Sequence, residues 1–313
     1  MAAQGAQPVA PLTSSQPRGG GRRLGGFIGK YGFILPTVGV ILALSIYPLI
    51  YSLTLAFCSW QLTRIGGGRT FVGLANFIAL MSDGRFWFSL KTTLIFVVVS
   101  VGVQYVIGLV MALILASEIR GRKFLRVLLL IPMMLTPVAI GYMWRMILNS
   151  TRGPANHFLT LVGLKPLEWL TSSDIALPSI ILVDIWQWTP FFIVTLLAGI
   201  QSLPQDPYEA ATIDGATGWQ LFWYVTFPML LPVSVTVIFL RAIEAFKVFD
   251  KIFVLTGGGP GMATESSTFY IYTLAFRHFN LGYASAAAYI LLILIVFAST
   301  VLLNRIRRQM DVT

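Results

Sequence analysis

The chain has one cysteine, Cys58, and two histidines, His157 and His278, far apart along its 313 residues. The single cysteine excludes an intrachain disulfide, and there is no Cys/His cluster from which to build a metal site. Charge is scarce too: 11% of residues are charged, against roughly 25% in ordinary soluble domains. A nucleotide-binding motif is also missing. The run Gly257-Gly258-Gly259-Pro260-Gly261 lacks the Lys and Ser/Thr that complete a phosphate-cradling loop, and reads as a flexible external loop. No period of 20–50 residues is visible, which excludes solenoids and propellers, and no inverted repeat of the secondary-transporter kind stands out.

What remains is apolar. Hydrophobic residues make up 56% of the chain, and the mean hydropathy is +0.79. This is the composition of an all-α polytopic membrane protein. In a soluble chain a net charge of +10 would suggest nucleic acid. Here it points to basic loops beside anionic membrane lipid, and no nucleic-acid partner is expected.

Six apolar stretches reach the roughly 20 residues a helix needs to cross a bilayer: near 31–58, 88–116, 126–149, 177–202, 228–250 and 281–304. They place a six-span domain over residues 27–313. Residues 1–26, rich in Ala, Gln, Pro, Ser and Gly, form an expected disordered cytoplasmic tail. The apolar run after Tyr31 has no small-residue cleavage site, so the first span is read as uncleaved. Lys and Arg near the span ends number eleven on the tail-bearing side and eight on the other. Both termini and the loop 203–227 are therefore assigned to the cytoplasmic side.

That loop has no Lys or Arg; it carries Asp206, Glu209 and Asp214. Its helix signals are dense. Asp206 as N-cap, Pro207 at the first helical position and Glu209 three after the cap predict a capping box, which Gly215 terminates. Thr217 and Gln220 predict a second box, and Pro228 is expected to stop the second helix. The expectation is a bent pair of short helices outside the bilayer. Ala210, Ala211, Gly215 and Ala216 are small enough to let another backbone come close.

Polar groups inside the spans mark a candidate pathway. Asp184, Gln187, Trp188 and Phe191 fall at i, i+3, i+4 and i+7, on one helix face. An ionisable residue at membrane depth defaults to a cavity or a partner, and aromatic faces beside hydrogen-bonding groups suit a sugar ring. A helix-packing aspartate beside an aromatic belt fits the same pattern. Span five ends in Arg241, Glu244, Lys247, Asp250 and Lys251, charges that alternate at three-residue spacing and can pair along the helix. They read equally as a pathway or as a self-neutralised helix end.

The pattern Glu209-Ala210-Ala211-x-x-Asp214-Gly215-Ala216, then Phe222, Pro228 and Pro232, resembles the cytoplasmic coupling loop of ABC importer permeases. Val225 and Phe227 are mild apolar departures from that pattern. The stretch Phe249 to Gly261, with Ala263, Thr264, Tyr270 and Tyr272, is similar to the first permease of the maltose and glycerol-3-phosphate importers, in a compact six-span form. The resemblance runs from about Tyr31 to the C-terminus. It implies type I ABC importer architecture, a second six-span permease as partner, two copies of an ATPase subunit carrying ATP and Mg, and an extracytoplasmic solute-binding protein. It also implies that Glu209, Ala210, Ala211, Asp214, Gly215 and Ala216 insert into the ATPase, and that this chain hydrolyses no ATP and binds no cofactor of its own. The implied cargo is a carbohydrate or polyol phosphate. Competing readings are an importer for a non-sugar solute, a secondary transporter, which would leave the capped acidic loop unexplained, and a membrane enzyme, for which Asp184 and Glu244 are the only support.

Overall fold

The computed structural model describes residues 34–63, 68–117 and 121–310, without side chains for 302, 303 and 305–310. The N-terminal tail, with Arg18, Arg22, Arg23 and Lys30, lies outside the described residues. The chain divides into two compact units, 1–52 and 53–313.

The first helix, α1 (Leu35–Ala56), is long and apolar enough to cross a membrane and contains one π-helical turn, Leu42–Ile46. Pro36 stands at its start, where a missing N–H costs nothing. After it come a two-residue antiparallel ribbon, β1 (Cys58–Ser59) with β2 (Thr70–Phe71), and the short helix α2 (Ala75–Met81).

The second unit is built on two long helices, α3 (Gly84–Ala116) and α7 (Ala176–Gln201). Their contact is close because Gly108 offers no side chain: a Cβ there would lie 2.4 Å from the Cβ of Phe192. Where lipid removes most of the hydrophobic drive between helices, such small-residue crossings let dispersion act over many atoms. Phe96, Val101, Leu109, Ile180, Leu196, Leu230 and Val237 fill the buried core around this crossing.

The expected third span is not one straight helix. α4 (Arg122–Met134) and α5 (Pro137–Ile147) meet at 95°. Pro137 disfavours the helical conformation for Thr136, which sits extended at φ −67°, ψ 142°. Pro132 inside α4 has already removed one rung of the ladder. Next come α6 (Pro154–Leu161), α7, and the loop helix α8 (Asp206–Ile213). α9 (Gly218–Phe246), α10 (Asp250–Leu255), α11 (Ser267–Tyr272, running into a π-turn Thr273–Arg277) and α12 (Leu281–Met310) complete the chain. Among the described residues, five helices and the bent pair α4–α5 meet the length and composition of membrane spans.

A polar knot fixes the start of α3. Asp83 caps it, accepting from the N–H groups of Arg85 at 2.9 Å and Phe86 at 3.2 Å. It also accepts from the Tyr270 hydroxyl and, at 2.9 Å, the Tyr283 hydroxyl. Arg85 forms a two-pronged pair with buried Glu265, both contacts 2.8 Å. Burial pushes the Asp83 carboxyl up, but the four donors outweigh it and hold the group below its usual range. Stability from a depressed carboxyl is present above its unfolded value of about 3.9 and is lost as pH falls through the lower folded value. We expect Asp83→Ala to lower the stability of the solubilised protein by about 1 kcal/mol or more near neutral pH, the cost of a lost cap. The gap to wild type should close below about pH 4. A gap unchanged in acid would show that the charge is not what stabilises the cap.

Candidate functional site

Two regions carry the residues singled out by the sequence. The first is the corner between α8 and α9. Gly215 at φ +78° ends α8 in a left-handed turn that non-glycine residues adopt at a cost. Its N–H donates to the Thr212 carbonyl at 3.1 Å, and that of Ala216 to the Ala211 carbonyl at 2.9 Å. Together these two bonds close a Schellman motif. The second capping box forms as expected: the Gln220 N–H donates to Thr217 Oγ1 at 3.4 Å, and the Thr217 N–H to Gln220 Oε1 at 2.7 Å.

Two expectations for this loop fail. Asp206 is not an N-cap. Gln205 holds that position in a helical conformation without a side-chain bond, so no capping box forms with Glu209. Asp206 and Glu209 sit in the first turn instead, facing the positive end of the helix dipole. Nor does Pro228 stop the second helix. A π-turn at Phe222–Thr226 widens the backbone just ahead of it, with the Phe227 N–H bonded back to the Phe222 carbonyl. The hydroxyl of Thr226 satisfies the Leu221 carbonyl at 3.2 Å. The clash that Pro228 would make with a regular turn is thereby avoided, and the helix continues into span five. Of the expected pair in this loop, only α8 is a separate short helix. The Tyr208 hydroxyl donates to Thr226 Oγ1 at 3.0 Å, bracing α8 against the π-turn. Glu209, Ala210, Asp214 and Gly215 are exposed; Ala211 and Ala216 are half-buried.

The second region lies within the helices. Asp184 of α7 is buried and shared by two buried cations. Arg241 of α9 reaches Oδ2 at 2.5 Å, and Lys251 of α10 bonds Oδ1. Gln104 of α3 completes the group, donating to Asp184 Oδ2 at 2.8 Å and accepting from Arg241 Nε at 3.1 Å. Trp188 lies one turn beyond Asp184, and the Arg241 guanidinium stands 5.0 Å over its ring. Beside this group opens a cavity of about 230 Å³ lined by Asp184, Trp188, Glu244, Lys247, Phe249 and Asp250, with Arg241 and Lys251.

Of the residues expected on the pathway, then, Asp184, Trp188, Glu244, Lys247 and Asp250 share one cavity wall. Gln187 and Phe191 do not. Gln187 is buried and turns its amide toward the Leu135 carbonyl, 3.4 Å away at the α4–α5 bend. Phe191 stacks edge-on against Phe192, centroids 5.9 Å apart, in the core. The charge run of span five pairs along the helix only once, Lys247 with Glu244 at 2.7 Å. Arg241 and Lys251 both turn to Asp184 instead. Gln104 was not anticipated; its signal is a lone amide between Val103 and Tyr105, in a span whose stretch from Val101 to Ala116 is otherwise free of charge and amide.

A model of the binding-protein-dependent transport system inner membrane component family matches residues 104–311. The chain belongs to that family. It is 37% identical over 280 residues to a probable ABC transporter permease of Sinorhizobium fredii, covering 90% of both chains. It is 40% identical over 252 residues to a trehalose/maltose transport system permease of Thermococcus litoralis, covering 80% of this chain and 83% of the relative. The fold matches that of a bacterial ABC transporter involved in alginate import with a TM-score of 0.79 at 24% identity, over 91% of this chain and 99% of that one. The protein is an ABC importer permease with a type I fold.

Removing one partner of a buried ion group leaves charge uncompensated and costs about 3–5 kcal/mol. Asp184→Leu in this permease is expected to lose that much stability in detergent. A triple variant, Asp184→Leu, Arg241→Met and Lys251→Met, should recover most of it. Equal melting of Asp184→Leu and wild type would show that the group contributes nothing.

Proposed function

We propose that this permease forms one half of the translocation pathway of an ATP-driven, binding-protein-dependent importer for a carbohydrate. The observation that carries the cargo class is the makeup of the cavity wall. Its three carboxylates, Asp184, Glu244 and Asp250, face three cations, Arg241, Lys247 and Lys251, so no net charge selects an ion of either sign. Carboxylates and ammonium groups can exchange hydrogen bonds with hydroxyls, and Trp188 and Phe249 offer faces to an apolar ring surface. That combination suits a neutral polyhydroxylated solute. The trehalose/maltose permease among the relatives supports this reading.

In this reading the acidic corner at α8 is the coupling element. An ATPase subunit, of which two copies carry ATP and Mg, receives Glu209, Asp214 and the small residues Ala210, Ala211, Gly215 and Ala216 in a cleft with a basic rim. A second permease completes the pathway, a solute-binding protein delivers cargo on the far side, and both termini are cytoplasmic. Binding of the ATPase can shift the permease only if its contacts differ between the two access states. The continuity of α9 supplies a route. It begins at Gly218, immediately after the corner, and carries Arg241 roughly 35 Å further on at 1.5 Å per residue. A tilt of the corner is thereby delivered to the group that holds Asp184.

Among the described residues, and apart from its two chain neighbours, a Cβ at Gly215 would meet no atom within 4 Å, so a side chain there acts through backbone strain and through whatever docks outside. We expect Gly215→Asp to abolish uptake with membrane insertion intact, and Glu209→Lys to lose the co-purifying ATPase. A normal uptake rate in Gly215→Asp would refute the coupling assignment. For the cargo, Trp188→Ala should lower sugar uptake at least tenfold while ATPase co-purification is unchanged. Unaltered sugar uptake would remove the cavity from the pathway.

A further inference from the structure

The bent pair α4–α5 leaves an apolar groove outside the charged cavity. It holds about 520 Å³ between α3, α4, α5 and α7, with Met111, Leu128, Pro132, Trp144 and Trp186 among its walls, within the range of roughly 300–1,000 Å³ typical of ligand sites. Trp144 and Trp186 meet edge to face at 5.6 Å. The indole N–H of Trp144 is buried and has no acceptor among the described residues, which in an apolar wall is a donor awaiting one.

The helix lining one side of this groove starts with an uncompensated positive charge. Arg122, Lys123 and Arg126 fall within its first five residues, and its first turn has no acidic side chain. Segment 117–126 holds four cations (Arg120, Arg122, Lys123, Arg126) and one anion (Glu118), a net +3. Cations at this end oppose the helix dipole, and Arg122 and Arg126, four apart, repel one another. The N-cap, Gly121, brings no side chain to satisfy the free backbone N–H groups. Arg126 keeps Nε and Nη2 away from solvent with no partner among the described residues. At helical spacing Arg122, Leu125, Leu129 and Pro132 form one stripe, with Arg126 beside Arg122, so the charged end leads directly into the groove.

We propose that this groove is a binding site for one anionic phospholipid. The phosphate sits on Arg122, Arg126 and the free N–H groups at the start of α4, and an acyl chain lies in the groove past Leu128 and Pro132. The apolar length supplies burial and the basic turn selects the headgroup. The site is separate from the charged cavity and does not rest on the transport reading.

The test is native mass spectrometry of the intact detergent-solubilised transporter with phosphatidylglycerol or phosphatidylcholine of identical acyl chains added. Wild type is expected to keep one phosphatidylglycerol per copy of this chain and to release phosphatidylcholine. Arg122→Gln with Arg126→Gln should weaken retention about tenfold or more. Leu128→Trp, which fills the groove and leaves the charges alone, should do the same; recovery of the intact complex is the folding control. Equal retention of the two lipids, full retention by the double arginine variant, or indifference to Leu128→Trp would each overturn the proposal. So would displacement of the lipid by inorganic phosphate, or cross-linking of Leu128→Cys to the second permease in a Cys58→Ala background, which would make the occupant a protein.

Discussion

One carboxylate holds the charged centre of this molecule together. Asp184 stands on α7; the cations that neutralise it come from α9 and α10, and an amide that hydrogen-bonds it comes from α3. A buried ion group of this kind is weak evidence for stability as such, since desolvation offsets much of the attraction. Its effect is on arrangement. Two cations with one carboxylate and one amide satisfy each other only when four elements hold a particular register, and a slip of any one leaves an unpaired charge in an apolar surrounding. The close crossing of α3 over α7, made possible by Gly108, brings Gln104 within reach of Asp184 and gives the group its geometry.

The charge surplus at this centre explains the character of the cavity beside it. Arg241 and Lys251 bring two positive charges to one negative. Glu244 is paired with Lys247, so Asp250, next in chain to Lys251, is the acid that balances the wall. The sequence spacing of three residues suggests a helix end that neutralises itself. The structure instead breaks the helix after Phe246 and restarts it at Asp250, which turns Lys251 inward. A short-range pairing rule was overridden because a buried carboxylate attracts a cation more strongly than an exposed neighbour does.

What the sequence makes legible follows from the range of the interactions involved. The Schellman turn at Gly215 and the box at Thr217 and Gln220 are closed by residues a few positions apart, and both were readable. So were the positions of the apolar spans, which need only length and composition. The partners of Asp184 lie 80, 57 and 67 residues away, and nothing local identifies them. Proline is harder to read: Pro228 was expected to stop a helix, and nothing was read from Pro137. Pro137 stands at a sharp bend inside the span placed near 126–149, where Thr136 before it is extended. Pro228 breaks nothing, because a π-turn makes room for it. Pro132, Pro190 and Pro232 also lie within helices, so whether a proline ends a helix depends on its surroundings, and the residue type alone does not carry that information.

The same π-turn bears on how force could pass through the protein. A helix that ended at Pro228 would leave a flexible joint between the acidic corner and span five, and movement at the corner would be lost there. The continuous α9 removes that joint but leaves a wider turn at Phe222–Thr226, which the Tyr208 hydroxyl braces against α8. Under the proposed mechanism the corner and the helix therefore move as one body, with compliance confined to a single turn near the corner. The far end of that body is Arg241. A lever that ends on a group able to satisfy its charges in one register favours discrete states over gradual deformation, which is what alternating access requires.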